Sequence, residues 1–144
     1  MVFSGRLATD ADIDGGLRVR ALFFANSLEI RNELLYAMGA GWESYTIGNA
    51  LEDVRVPLAV VIETGSMLPS TLLALAVVVE DPSGASVLSE SFDLSVAERM
   101  RPIMRQCLVK SLRLRVTRLG VWRFILRSGD FQLAETTLEF KGRE

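Results

Sequence analysis

A chain of 144 residues, 49% apolar and 24% charged with a net charge of −2, has a globular composition and can bury roughly 70% of its unfolded surface in one core. It contains no histidine and one cysteine. That excludes Ser-His-Asp and Cys-His nucleophile systems, His-bearing or all-thiolate zinc sites and any intrachain disulfide.

The opening MVFSGRLATDADIDGG lacks the basic head and apolar core of a signal peptide, and residues 1–16 read as a loosely ordered acidic segment. Within it, Asp10-Ala11-Asp12-Ile13-Asp14-Gly15 matches the first half of a calcium loop, with Asp10, Asp12 and Asp14 as candidate ligands. Position twelve of that pattern is Ala21 where a bidentate acid belongs, so a solvated acidic loop is the stronger expectation and no metal or cofactor is assigned.

Leu17, Val19, Ala21, Phe23 and Ala25 alternate with Arg18, Arg20, Leu22 and Phe24, the period of a strand. Glu29–Glu33 reads as a polar connection, Leu34–Met38 as a short run stopped by Gly39-Ala40-Gly41, and Trp42–Ile47 as another strand. Val56–Thr64 and Leu72–Glu80 are apolar on both faces, as in strands covered on two sides. Asp81-Pro82-Ser83-Gly84 is a turn between Leu72–Glu80 and an alternating run at Val87–Phe92.

Ser95-Val96-Ala97-Glu98 fits a capping box, and the helix it starts is cut short by Pro102. Ile103–Val116 extends that helix or forms a long crossing strand, and the Leu112, Leu114, Val116 alternation favours a strand for its second half. Trp122, Phe124 and Leu126 share one face of the next run, which returns after Ser128-Gly129-Asp130 as a hairpin through Leu133, Ala134, Thr136 and Leu138. The expectation is an all-β fold: one domain over 1–144, an antiparallel β-sandwich of about seven to nine strands. One short helix or irregular crossover falls near 95–108.

The apolar strand and turn at Leu22–Asn32, the strand end Glu80-Asp81-Pro82-Ser83-Gly84 and the run Leu119-Gly120-Val121-Trp122-Arg123-Phe124 resemble short bacterial single-domain β-sandwich proteins of uncharacterised function. That resemblance implies a sandwich and transfers no catalytic residue. An arginine-to-lysine ratio of fourteen to two agrees with a bacterial, GC-rich source.

Two features bear on function. Between Arg99 and Gly129 lie nine basic residues and no acidic one, leaving −11 for the rest of the chain. Arg113, Arg115, Arg118 and Arg123 are the candidate anion-binding patch, against cross-strand pairing with Glu135 and Glu139. A pI near 5.3 and the lack of an aromatic platform disfavour nucleic acid. The apolar excess of the two central runs names Val56, Leu58, Val60, Leu73, Leu75 and Val77 as a candidate self-association surface, against cover by the crossover segment. With no nucleophile, metal or phosphate-loop motif, the expected function is non-enzymatic protein–protein contact, with a homo-oligomer as the leading form. The longest apolar run, Leu72–Val79, is eight residues, against the ~20 of a membrane helix, so a soluble cytoplasmic protein is expected.

Overall fold

The computed structural model describes residues 6–48, 51–65, 67–68, 70–96 and 105–143. A short helix, α1 (Asp10–Gly16), precedes ten strands: β1 (Arg18–Phe24), β2 (Ser27–Arg31), β3 (Leu34–Met38), β4 (Ser44–Ile47), β5 (Glu52–Glu63), β6 (Leu72–Glu80), β7 (Ser86–Ser95), β8 (Arg105–Val116), β9 (Gly120–Ser128) and β10 (Phe131–Gly142). They form a three-stranded sheet, β1-β5-β8, a five-stranded sheet, β4-β10-β9-β6-β7, and a separate β2–β3 hairpin. The order is that of immunoglobulin-type sandwiches, where an A-B-E sheet faces a C-F-G sheet. The all-β sandwich expected from the alternation is therefore the fold.

One core lies between the two sheets. Val54, Val56, Leu58, Val60 and Ile62 of β5 and Leu112, Leu114 and Val116 of β8 meet Leu73, Leu75, Val77 and Val79 of β6, Trp122, Phe124 and Leu126 of β9, and Leu138 and Phe140 of β10. Aromatic rings pack within it. Phe24 meets Phe124 edge-on at 4.8 Å and Trp122 meets Phe140 at 5.6 Å, while the Trp122 indole N–H donates to Arg118 O at 3.1 Å.

The candidate self-association residues are part of this core. Val56, Leu58, Val60, Leu73, Leu75 and Val77 are all buried and face the opposite sheet. Both strands are apolar on two sides, and period-two alternation cannot say which side is the inner one. The outward set on β5 is Asp53, Arg55, Pro57, Ala59, Val61 and Glu63, of which Ala59 is still fully buried. Pro57 loses no ladder bond on the β8 side. Its carbonyl accepts from Ala25 N–H, just past the end of β1, and within a strand the nitrogen points to the same side as that carbonyl.

From Arg6 onward the N-terminal segment is held by specific contacts, Leu72 N–H donating to Arg6 O and Ala8 N–H to Leu72 O. Thr9 caps α1, its side chain accepting from Asp12 N–H while the Asp12 carboxylate accepts from Thr9 N–H. Ile13 and Leu17 are anchored in the core. The capping box at Ser95–Glu98 and the short helix expected from it fall largely on 97–104, outside the described residues, and β8 begins at Arg105.

The main departure from expectation is the β2–β3 hairpin. Ser27 pairs with Met38, Glu29 with Tyr36 and Arg31 with Leu34, closed by Asn32 and Glu33 at φ of 51° and 65°. Two consecutive positive φ values make a type I′ turn, whose twist matches that of the flanking strands. β2 comes close to both β5 and β8, so the hairpin leans across the three-stranded sheet. Among the described residues, β3 pairs with no strand except β2.

Candidate functional site

The expected arginine patch does not assemble. β8 and β9 are consecutive in the chain but belong to different sheets, so their outward faces lie on opposite sides of the sandwich. Arg113 and Arg115 project from β8, Arg123 from β9, and Arg118 sits in the connection with its Nε 4.0 Å from Asp81. Arg123 lies between two carboxylates across three strands, 2.7 Å from Glu80 and 2.7 Å from Glu135. The Glu135 hydrogen bond and charge hold the guanidinium pKa above its usual value and the Glu135 carboxyl below its own. Cross-strand pairing thus accounts for Arg123.

The three-stranded sheet carries the inverse arrangement. Glu63, on the central strand, is buried beneath Arg20 at 2.9 Å and Arg105 at 2.8 Å. The hydrogen bonds from Arg20 and then Arg105 lower its carboxyl pKa below the ordinary 4.5. Residues 20, 63 and 105 are far apart in sequence, and only sheet register unites them.

Further along the same strands, Arg55 and Arg113 stand directly opposite, beside the pair Asp53 and Arg115. Arg115 is 3.5 Å from Asp53, whereas among the described residues neither Arg55 nor Arg113 has an acidic partner within ion-pair distance. Like charges facing across a ladder oppose pairing. The four charged side chains line an open depression of about 450 Å³. Arg55 was not part of the expected patch, because its isolated position in Asp53-Val54-Arg55-Val56 gives no sequence signal.

The calcium reading is overturned. Asp10–Gly16 is helical, so Asp12 points away from the face that Asp10 and Asp14 share, and the three carboxylates do not converge on one point. Asp12 is already engaged by Thr9 N–H at 2.9 Å and by Arg6 at 3.0 Å, which hold its pKa low. No cluster of acids or thiols suited to a metal occurs among the described residues, and no helix there is long and apolar enough to cross a membrane.

A group of exposed apolar side chains lies on the short run Leu34–Met38, with Ile30 in the segment read as a polar connection. Leu34, Tyr36 and Met38 share one hairpin face and are 60%, 51% and 73% exposed; Ile30, on the other face, is 41% exposed. Leu28 and Leu35 are half-buried on that second face.

No family model matches the sequence, and no curated protein matches it. Solved structures do. A β-glucosidase from Listeria innocua in complex with glucose aligns at TM-score 0.50 and 12% identity, over 89% of this chain and 16% of that one. An alkylpurine DNA glycosylase from Pseudomonas fluorescens, bound to DNA containing an abasic site analog, aligns at 0.49 and 10% over 87% of this chain and 30% of that one. An immunoglobulin-like protein from Pseudomonas aeruginosa aligns at 0.44 and 10% over 87% of this chain and 96% of that one. The chain thus spans under a third of the glycosylase and about a sixth of the glucosidase. At these identities the likeness extends to the β-sandwich fold alone.

Proposed function

We propose that the chain is a non-enzymatic, cytoplasmic β-sandwich module that docks protein through its β2–β3 hairpin. The observation that carries this is the exposure of Leu34, Tyr36 and Met38 on one face of a two-stranded hairpin. A lone hairpin is marginally stable in water, and contiguous exposed apolar side chains mark interaction surfaces. Elsewhere the apolar excess of β5 and β6 is largely absorbed by the sandwich itself. A photo-crosslinking residue in place of Tyr36, with one in place of the half-exposed Val121 on β9 as control, tests this in cells. Protein adducts confined to the Tyr36 site support docking. Labelling equal at both positions, or at neither, contradicts it.

A second reading rests on Arg55 and Arg113, opposed across β5 and β8 without an acidic partner among the described residues. An anion bridging them and Arg115 relieves their repulsion, and guanidinium suits phosphate or carboxylate. Pyrophosphate raising the melting temperature of the native chain but not of Arg55→Gln/Arg113→Gln supports an anion-binding module; an equal shift in both, or none, removes it.

A further inference from the structure

We propose that the partner of the hairpin is a second copy of this chain, joined by antiparallel pairing of β3 with its counterpart about a two-fold axis through Tyr36. The inference rests on the docking role of the hairpin and names its occupant.

Backbone geometry carries it first. In a two-residue hairpin closed by Asn32-Glu33, the Arg31/Leu34, Glu29/Tyr36 and Ser27/Met38 pairs exchange hydrogen bonds, so the N–H and C=O of Leu35 and Ala37 point outward from β3. Among the described residues, no backbone hydrogen bond from another element reaches either of them. An open edge is a template for strand addition, and natural edges are blunted by charge, proline or bulges. Leu34-Leu35-Tyr36-Ala37-Met38 has none of these.

The edge is also self-complementary. A dyad at Tyr36 sets Leu35 against Ala37 of the second copy as a hydrogen-bonded pair, and Ala37 against Leu35. This closes about four main-chain bonds and leaves every outward group of the strand satisfied. The two Tyr36 rings then form a close, non-hydrogen-bonded pair, and Leu34 lies opposite Met38 on both sides, giving an isologous contact. Charge permits it. β3 is uncharged, and Glu29 and Arg31 neutralise each other within each hairpin at 2.7 Å.

Area limits the strength. The exposed parts of Leu34, Tyr36 and Met38 amount to roughly half of the ~800 Å² per partner of a standard interface. A dimer that assembles in the micromolar to millimolar range is the consequence.

Sedimentation equilibrium of the full chain from ~1 µM to ~1 mM reads this directly. The expected result is a monomer–dimer equilibrium that Ala37→Pro weakens roughly 10- to 100-fold, since it removes an outward donor and leaves the hairpin's internal bonds in place. Val121→Lys, on the other sheet, leaves the equilibrium unchanged, and circular dichroism confirms that each variant is folded. Register is tested separately in a Cys107→Ser background. Under oxidation Tyr36→Cys forms a covalent dimer, because its Cα atoms meet at about 4.5 Å. Leu34→Cys, whose counterpart is several residues along the edge, does not.

A monomeric mass throughout overturns the inference, as do unchanged dimers in Ala37→Pro or equal crosslinking by both cysteine variants. Binding of the hairpin to lipid vesicles in place of self-association also overturns it. Adducts from the Tyr36 photo-crosslinker to a different protein, with a monomeric chain, retain the docking role and discard the second copy.

Discussion

Truncating Leu58 to alanine distinguishes a core strand from a docking strand. Leu58 is fully buried between the two sheets, and a Leu→Ala change at such a site removes transfer free energy and leaves a cavity, together about 3–5 kcal/mol. Single domains hold about 5–15 kcal/mol in total. For a chain of this size each kcal/mol lowers the melting temperature by about 3–4 °C, so Leu58→Ala is expected to lose roughly 10–20 °C. Its urea midpoint falls with the slope unchanged. Tyr36→Ser is the matched control. Its ring is half exposed on a hairpin outside the core cluster, and its loss is expected to cost about 1 kcal/mol or less at concentrations where the chain is monomeric. A cost below ~1 kcal/mol for Leu58→Ala, or equal costs for the two variants, refutes the assignment of β5 to the interior and of the hairpin to the surface.

Glu63 supplies a pH dependence. Its folded pKa lies below the ordinary 4.5 because Arg20 and Arg105 donate to it, so its contribution is present above the unfolded value and is lost as pH falls through the folded one. Glu63→Gln is expected to be less stable than the native chain at pH 7 and to show a smaller loss between pH 5 and pH 3 in urea melts; parallel profiles contradict this. Thr9→Ala removes the cap of α1 and is expected to cost about 1 kcal/mol, read by thermal melting, whereas no loss would mean that α1 adds nothing to the fold. Millimolar calcium is expected to leave the melting midpoint unchanged, since Asp12 is held by Thr9 and Arg6; a rise would restore the calcium loop.

The sandwich was legible because β1, the second half of β8 and β9 alternate, β5 and β6 are continuous apolar runs of strand length, and the turns between them carry strong signals. Leu72–Glu80 begins and ends as expected, and Asp81 closes the next turn by accepting from Ser83 N–H at 2.9 Å and Ala85 N–H at 3.1 Å. The hairpin was not legible, because Asn32-Glu33 lacks the glycine that usually marks a type I′ turn and Glu33 occupies a left-handed conformation that its side chain disfavours. Thr9 and Asp12 did carry a capping signal for α1, obscured by the more familiar D-x-D-x-D-G pattern. The arginine patch failed for a topological reason. Thr117-Arg118-Leu119 passes between sheets, and nothing in the sequence separates such a crossing from a tight turn within one sheet.

Amide exchange at Leu35 and Ala37, followed as the protein is concentrated from micromolar to millimolar, reaches the open edge of β3 most directly. If copies pair there, both amides gain protection in step with the dimer fraction, while amides of β6 stay protected throughout. If Leu35 and Ala37 exchange at the same fast rate at every concentration while the chain remains folded, β3 is not an interface between copies.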